Sequence, residues 1–442
     1  MTNVVVELTQ QLIRNRCVND GSVESGQEAR NADDLQRYLE GGGLDVERYE
    51  SAPGRANLVV RIEGSDPQAP SLCLLGHTDV VPANEARWTR DPFGGEIVDG
   101  YLWGRGAIDM LNMTASMAVA VKSLASSGFR PKGTLIYAAV ADEEARGTYG
   151  AESLLTHHRH AVACDYLITE SGGFPLPGAE GVRLPILAEE KGPLWATLHV
   201  NGTPGHGSMP FRTDNALVKA AEIVRRLTEF RPPTRLDETW CAFIGSLGMP
   251  PDVLAALTND EAFLPTIDML PIGMSRMAYS CTHTTITPTI VTSGTKANII
   301  PDTATITLDI RVLPGDGPDE VRAMIEHALG DLAPETTLVF HDPDDVATAS
   351  PIDTPLYDAL TRASQAFYPE AALLPMRMVG TTDARHFRRA LGTTSYGFGM
   401  FSEKLTLDDI ARMAHGDDEK IDVDSLHLST RLWESLARDF LG

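Results

Sequence analysis

Histidine and carboxylate side chains follow apolar segments of this chain at points where a buried strand would end. The first such point is residues 72–75, an uninterrupted apolar run that leads into His77 and Asp79. A run of this kind is typical of a strand buried on both faces of a parallel sheet, and open α/β sheets bind ligands at the carboxyl ends of their strands. The spacing of two residues lets Asp79 hold one imidazole nitrogen of His77 while the other nitrogen faces a metal ion. Taken alone, a chance pairing of histidine and aspartate explains this segment better.

Three further segments place acidic residues at equivalent points. Asp109 follows a loop with two glycines and stands at the entrance of a predicted helix, while Glu143, Glu144 and Glu170 follow two more apolar runs. Each residue has an ordinary alternative, which is N-capping for Asp109 and a solvated loop for the glutamates. Four segments of this kind within about 100 residues are improbable as a coincidence. The set therefore predicts one metal site built from successive strand and loop ends.

These segments belong to a longer series of motifs that spans nearly the whole chain. In sequence order the motifs are GHTDVVP at 76–82, WGRGAIDM at 103–110, ADEE at 141–144, GHGSMP at 205–210, ANIIPD at 297–302, TDAR at 382–385 and HGDDE at 415–419. With them the chain resembles the di-zinc amidohydrolase and exopeptidase family that includes acetylornithine deacetylase, succinyl-diaminopimelate desuccinylase, aminoacylase, carnosinase-like dipeptidases and glutamate carboxypeptidases. The order and spacing of the motifs make this resemblance highly specific.

The resemblance implies two metal ions held by five ligands, one of which bridges the ions. The ligands would be His77 and Glu170 for one ion, Glu144 and His415 for the other, and Asp109 for both. Glu143 would be the general base, and Asp79 would orient His77. The peptide bond that follows Asp109 would be cis. His386 and His427 compete with His415 for the last ligand position, and we prefer His415 because the motif around it matches the family.

The residue types agree with this chemistry. Carboxylate and imidazole groups suit hard to borderline divalent cations, and no cysteine lies in any of the motifs. We therefore expect two Zn²⁺ ions as cofactors, with Co²⁺ or Mn²⁺ as alternatives. Because adjacent side chains diverge, one of Glu143 and Glu144 can bind metal while the other takes a proton from water and passes it to the leaving amine.

Four further residues are expected around the substrate because they match family positions. His206 would stabilise the tetrahedral oxyanion, in many family members from the partner subunit, and Asn298, Thr381 and Arg385 would line the substrate pocket. The fork of an arginine binds both oxygens of a carboxylate, which makes Arg385 a natural partner for a substrate carboxylate. The alternatives are a turn histidine among glycines for His206 and a structural ion-pair partner for Arg385.

Composition narrows the class of protein further. The chain has 442 residues, and its 37 basic and 61 acidic side chains give a net charge of -24, which disfavours nucleic acid as a partner. The five cysteines are odd in number and scattered, as is typical of reduced core thiols. A short amphipathic helix is predicted over residues 4–13, without the features of a secretory signal, and no apolar span of about 20 residues occurs. We expect a cytoplasmic protein that does not bind membranes.

Motifs from distant parts of the chain must meet, because His77 and His415 are assigned to one site. Between them the pattern changes. Residues 195–200 and 303–312 alternate like strands of a sheet with one exposed face, and residues 216–227 suit an amphipathic helix. These features predict a second domain inserted into the first.

The predicted fold is therefore α/β, with a mixed, largely parallel sheet flanked by helices and an inserted α+β domain. Residues 1–187 and 314–442 would form the metal-binding domain, and residues 188–313 the insert. In the resembling family this insert is a lid that also forms the homodimer, so we expect a homodimer through the lid domain.

The predicted function is hydrolysis of an amide bond next to a free carboxylate. The first hypothesis is an N-acyl-amino-acid deacylase acting on small N-acyl amino acids. The second is a carboxypeptidase or dipeptidase of the same family, acting on short peptides. A non-catalytic metal-binding protein is a third possibility, which the complete ligand set and the intact general base Glu143 disfavour.

Overall fold

The structure is a computed structural model that describes residues 3–178 and 181–442. In chain order its α-helices are α1 Val4–Arg14, α2 Ala29–Leu39, α3 Leu111–Ser126, α4 Ala151–His157, α5 Arg159–Val162, α6 Ala216–Glu229, α7 Glu238–Gly245, α8 Pro251–Leu257, α9 Asp260–Ile267, α10 Ile272–Thr282, α11 Pro318–Leu329, α12 Pro355–Gln365, α13 Ala384–Leu391, α14 Leu407–Met413 and α15 Val423–Leu441. Short 3₁₀ helices span Glu85–Arg87, Glu143–Ala145 and Gly330–Glu335. The predicted N-terminal helix is confirmed as α1.

The strands form two large sheets and two small ones. In chain order they are β1 Val46–Ala52, β2 Arg55–Ile62, β3 Leu72–His77, β4 Glu96–Val98, β5 Tyr101–Trp103, β6 Leu135–Val140, β7 Tyr166–Thr169, β8 Leu176–Gly178, β9 Gly181–Glu190, β10 Gly192–Pro193, β11 Ala196–Asn201, β12 Gly205–His206, β13 Thr285–Ser293, β14 Ile299–Ile300, β15 Thr303–Val312, β16 Thr336–Phe340, β17 Thr348–Ala349, β18 Ala372–Met378, β19 Thr394–Gly397 and β20 Lys420–Asp422. The small sheets pair β12 with β14, and β5 with β4 and β20.

The first sheet has ten strands, and its main path runs β1-β2-β6-β3-β7-β19-β9-β17. Strands β6, β3, β7 and β19 lie parallel to one another at its centre, whereas β1 and β2 are antiparallel additions at one side. The predicted α/β class with a mixed, largely parallel sheet is confirmed.

Helices cover both faces of this sheet, which explains the uninterrupted apolar runs. Every residue of β3 is buried. Because successive side chains of a strand point to opposite faces, Leu72 and Leu74 pack into the core on the side of α3 and α15, while Cys73 and Leu75 pack into the core on the side of α4 and α13. Strand β3 is therefore rigidly embedded up to its last residue, His77.

The second sheet is antiparallel, with the path β10-β15-β11-β16 and with β13 paired to β15. Its strands alternate in burial, and the buried side chains pack with α6 and α11 in a separate core. The chain enters this sheet after β9 and returns to the first sheet at β17. The inserted α+β domain of the predicted fold is therefore present.

The predicted domain boundaries at residues 188 and 313 stay a prediction. Helix α11 and strand β16 follow residue 313, yet they belong to the core and sheet of the insert. We therefore propose that the second boundary lies after β16. The stretch 238–282, within the insert by sequence, forms the four helices α7 to α10, whose core includes Leu374 of the first sheet.

Among the residues that the structure describes, no helix combines the length and the apolar character needed to span a bilayer.

The two crossovers between the sheets touch each other. A Cβ placed on Gly192, at the start of β10, would lie 2.3 Å from the backbone of Val346 and of Ala347, on the return path. Only a residue without a side chain allows this approach. The crossovers therefore form one compact junction.

Substitution of Gly192 with Ala should destabilise the fold by about 1–3 kcal/mol, because the added methyl group overlaps backbone atoms that have little room to move. Urea denaturation measures this free energy of unfolding. The matched control is G245A at the end of α7, where no atom lies within 4 Å of the added Cβ, and its effect should stay within about 1 kcal/mol. Equal stability of G192A and wild type would contradict the close approach of the crossovers.

Candidate metal centre

The site lies at one edge of the first sheet, where three neighbouring parallel strands end. His77 is the last residue of β3, Glu143 and Glu144 follow β6, and Glu170 follows β7. Asp109 precedes α3, which packs against β3. Because parallel strands bring their carboxyl ends to one edge, residues up to 93 positions apart in the chain (77 to 170) meet here.

Asp109 stands between the two histidines. Its Oδ1 lies 3.1 Å from Nε2 of His77, and its Oδ2 lies 3.2 Å from Nε2 of His415. Each histidine also approaches a second carboxylate, since His77 Nε2 is 3.7 Å from Glu170 Oε2 and His415 Nε2 is 3.2 Å from Glu144 Oε2. One carboxylate thus joins two half-sites, each completed by one histidine and one glutamate.

This donor set fits divalent metal ions. Ligand atoms of His77, Asp109 and Glu144 lie within 4.8 Å of one another, and so do those of His77, Glu143 and Glu170. Oε1 of Glu144 is buried and has no hydrogen-bond partner, which is costly for a carboxylate unless a cation binds it. Oxygen and imidazole donors suit zinc, cobalt and manganese.

The carboxylates of the site repel one another. Burial, and next the charge of a neighbouring carboxylate, raise the pKa values of Glu143 and Glu170 well above those of ordinary glutamates. Burial also raises the pKa of Glu144, to which Asp109 adds. For Asp109 burial acts in the same direction, but hydrogen bonds from His415 and His77 outweigh it and hold its pKa well below the usual range. Bound cations would remove this repulsion.

Asp79 supports the site through backbone groups. Its Oδ1 accepts from the N–H of Glu143 (3.2 Å) and its Oδ2 from the N–H of Glu144 (3.1 Å). Its contact with His77 is looser, because Nδ1 of His77 lies 3.0 Å from the carbonyl oxygen of Asp79 and 3.5 Å from its carboxylate. Asn19, which sequence reasoning missed, donates to Asp79 Oδ2 at 2.8 Å. Asp79 therefore holds the turn that carries both glutamates, and its role in orienting His77 stays a prediction.

A second acidic residue holds the loop that carries Asp109. Glu419 is fully buried and accepts from the N–H groups of Ile108 (2.7 Å) and Asp109 (3.1 Å), and Arg105 Nη1 donates to it at 2.6 Å. Its place in the HGDDE motif predicts a structural acid, and these contacts assign Glu419 to the loop that carries Asp109. The peptide bond Asp109–Met110 is cis, as the resemblance implied.

The three histidines that compete for the last ligand position lie in different places. His386 Nε2 donates to the carbonyl oxygen of Arg146 at 3.0 Å, and burial lowers the pKa of His386 to about 3. His427 lies on α15 and, within the part of the chain that the structure describes, pairs with none of the carboxylates of the site. His415 alone of the three lies against Asp109 and Glu144, and these hydrogen bonds raise its pKa to about 10.

The predicted substrate residues lie in three different places. His206 and Asn298 are exposed neighbours in the inserted domain, where β12 pairs with β14 and the N–H of Gly207 donates to Asn298 O at 2.9 Å. Within the described residues neither contacts the metal ligands. Thr381 is half-buried between β18 and α13.

Arg385 is buried and directed at the backbone. Its Nη1 donates to Thr382 O at 3.0 Å and its Nη2 to Arg146 O at 2.8 Å, while Nε lies 3.6 Å from Asp345. These contacts favour the structural alternative for Arg385, and its binding of a substrate carboxylate stays a prediction.

Comparison with known proteins identifies the family. The model of peptidase family M20/M25/M40 matches residues 73–439. The chain belongs to this family. It is a metallohydrolase of the M20 type.

Two relatives indicate the range of activities. The chain is 27% identical to N-fatty-acyl-amino acid synthase/hydrolase PM20D1 of Xenopus tropicalis over 402 residues, which cover 89% of this chain and 76% of that protein. It is 34% identical to succinyl-diaminopimelate desuccinylase of Rhodospirillum centenum over 245 residues, covering 54% of this chain and 59% of that protein.

Solved M20 structures share the fold. An M20 family metallo-carboxypeptidase from Sulfolobus solfataricus superposes with a TM-score of 0.70 at 16% identity, covering 99% of this chain and 98% of that one. A dinuclear metal-binding M20 peptidase from Bacillus subtilis superposes with a TM-score of 0.62 at 14% identity, covering 100% and 99%. Both likenesses establish the two-domain architecture.

His415 should make the stability of the metal-free protein depend on pH. Its folded pKa of about 10 lies above the ordinary value of 6.5, so its contribution is complete below about pH 6.5 and is lost as the pH rises through about 10. We expect H415A to lower the free energy of unfolding of chelator-treated protein at pH 6.5 by about 1 kcal/mol, a small value because the side chain is 56% exposed.

Urea denaturation at pH 6.5, 8 and 10 tests this dependence, and the difference between wild type and H415A should shrink at each step. Replacement of the exposed His160 by Ala is the matched control and should change the free energy by less than about 0.5 kcal/mol. A difference that is constant over this pH range would contradict the pairing of His415 with Asp109 and Glu144.

Proposed function

We propose that the protein is a di-zinc amidohydrolase that removes the acyl group from N-acyl amino acids. The observation that carries the proposal is the position of Asp109 between two histidines, each of which approaches a further carboxylate. Ligand atoms of Glu143 lie within 4.8 Å of those of His77 and Glu170, and we assign Glu143 the role of general base because Asp109 already stands between the two histidines. The name of the relative from Xenopus tropicalis, an N-fatty-acyl-amino acid synthase/hydrolase, supports an acyl amino acid as the substrate.

A carboxypeptidase or dipeptidase activity is the second candidate. All these reactions hydrolyse an amide next to a carboxylate, and the metal centre suits each of them. The Sulfolobus solfataricus metallo-carboxypeptidase has the same fold. A non-catalytic binding protein is disfavoured because such a protein has no need of the half-buried carboxylate of Glu143 beside the proposed ligands.

The proposed metal ligands are His77 and Glu170 on one side, Glu144 and His415 on the other, and Asp109 shared between them. Zinc is proposed, with cobalt or manganese as alternatives. When bound, the two ions would activate a water molecule and polarise the scissile carbonyl group.

Glu143 then carries the proton between reactants. Its carboxylate accepts a proton from the attacking water and delivers it to the nitrogen of the leaving amine. Asp79 fixes the N–H groups of Glu143 and Glu144, so the base and its neighbouring ligand keep a constant separation. Glu143 can therefore transfer the proton while its neighbour Glu144 binds the metal.

His206 is suited to donate a hydrogen bond to the oxyanion. Its Nδ1 accepts from the N–H of Ser208 at 3.2 Å, so in the neutral ring the proton lies on Nε2. The exposed Nε2–H is then available to a substrate. Because His206 is apart from the metal ligands within one chain, a second subunit or domain closure must bring it to the substrate.

A homodimer through the inserted domain would satisfy this requirement. Strand β13 lies at the edge of the second sheet and exposes Ile290 and Val291. Helix α6 packs against β13 and exposes Leu217 and Val218. Unpaired strand edges and exposed apolar side chains favour association. A cytoplasmic location remains part of the proposal.

Substitution of Glu143 with Gln should lower kcat by about 10²- to 10⁴-fold, because the amide cannot accept the proton. The assay is a hydrolysis screen of N-acetyl, N-succinyl, N-carbamoyl and N-fatty-acyl amino acids beside dipeptides, with chelator and metal add-back. The bound metal, measured by elemental analysis, should stay unchanged in E143Q.

The matched control is E152Q on α4, at an exposed position, which should keep wild-type activity. Full activity of E143Q, or hydrolysis that chelation leaves untouched, would overturn the mechanism. Preference for dipeptides over every N-acyl amino acid would replace the first candidate function by the second.

A further inference from the structure

We propose that Arg146 is a positioning residue that couples the junction between the two domains to the turn carrying Glu143. The proposal rests on the proposed function, in which Glu143 is the general base. Arg146 contacts no metal ligand side chain in the described structure, so its effect would pass through the backbone of the turn and through the crossover segment that returns from the inserted domain.

The backbone of Arg146 closes the turn that begins at Glu143. Its N–H donates to Glu143 O at 3.1 Å, and its φ of 84° lies in the left-handed region, which reverses the chain direction. Its carbonyl oxygen accepts from Arg385 Nη2 at 2.8 Å and lies 3.0 Å from His386 Nε2. A displacement of Arg146 would therefore be transmitted to Glu143, three residues earlier.

The side chain of Arg146 reaches away from the metal centre to the domain junction. Its Nη2 donates to Asp345 Oδ2 at 2.8 Å and to Asp342 Oδ2 at 3.3 Å. Its Cζ lies 5.6 Å from the ring centre of Trp195. Trp195 follows β10 on the outward crossover, and both aspartates lie between β16 and β17 on the return crossover. One guanidinium thus contacts both crossovers.

Asp345 holds the guanidinium of Arg146 in one position. It is 3% exposed, and Arg389 Nη1 lies 2.5 Å from its Oδ1, with Arg385 Nε at 3.6 Å. A buried carboxylate shared by several guanidinium groups has one favourable arrangement, because leaving any charge unpaired is costly. The guanidinium of Arg146 is held in that arrangement although its side chain is 33% exposed.

The crossovers move together because Gly192 packs directly on Val346 and Ala347. A rotation of the inserted domain, which carries His206, would displace Asp345 and with it Arg146. Glu143 would then be correctly placed only while Arg146 keeps its contacts with Asp345 and Trp195. This predicts a loss in kcat, with little change in KM, when the Arg146–Asp345 contact is removed.

The test compares R146M, D345N and the double variant by steady-state kinetics on the best substrate of the hydrolysis screen. R146M should lower kcat at least tenfold, with KM changed less than threefold and with the metal content of the wild type. The double variant should be no slower than the slower single variant, because each single variant already removes the Arg146–Asp345 contact. R146K, which keeps the charge, should recover at least a third of the wild-type kcat. The matched control is R322M on α11, whose guanidinium lies over Phe340, and it should keep wild-type kinetics.

Hydrogen exchange of residues 142–150 provides a readout that needs no activity. R146M and D345N should each increase exchange there at least threefold, while R322M should not. Wild-type kcat and exchange in R146M, or strictly multiplicative losses in the double variant, would overturn the coupling. If the wild-type protein hydrolyses none of the substrates, the proposed function fails, and the exchange data alone still decide whether Arg146 positions the turn.

Discussion

The mutual repulsion of buried and half-buried carboxylates is the constraint on which this structure depends. Asp109, Glu143, Glu144 and Glu170 meet at one sheet edge with two imidazoles among them. Uncompensated, so much negative charge in a buried place would oppose folding. The surroundings hold the backbone segments that carry these carboxylates in place, and they bring together oxygen and imidazole donors that suit divalent cations.

Two buried acids hold these backbone segments. Asp79 gathers the N–H groups of Glu143 and Glu144, and Glu419 gathers those of Ile108 and Asp109. Each acid in turn has a side-chain partner, Asn19 for Asp79 and Arg105 for Glu419. The result is a set of ligands held on backbone segments that have little freedom, as a preorganised centre requires.

Local patterns explain why the strands and most of the site could be predicted. The apolar runs before His77, Glu143 and Glu170 reflect burial on both sheet faces, and a parallel sheet places their ends together. The supporting contacts have no local signal, since Asn19 lies 60 residues from Asp79 and Arg105 lies 314 residues from Glu419. These partners become neighbours only once the chain has folded.

The family motifs place further residues near the site, but they do not say where the side chains of those residues point. The TDAR motif predicts Arg385 near the site, but its guanidinium turns to backbone carbonyl groups of Thr382 and Arg146. The end of the inserted domain was equally hard to place, because β16 is a short edge strand whose burial alternates only between partial and exposed. Its membership of the second sheet depends on pairing with β11, which the sequence of β16 alone does not specify.

The proposed mechanism depends on a pair of metal ions that share Asp109. Crystals of the zinc-loaded protein, measured on both sides of the zinc absorption edge, test this most directly. We predict two anomalous peaks per chain, one bonded to His77, Asp109 and Glu170 and the other to His415, Asp109 and Glu144. A single peak, or two peaks that do not both contact Asp109, would contradict the account.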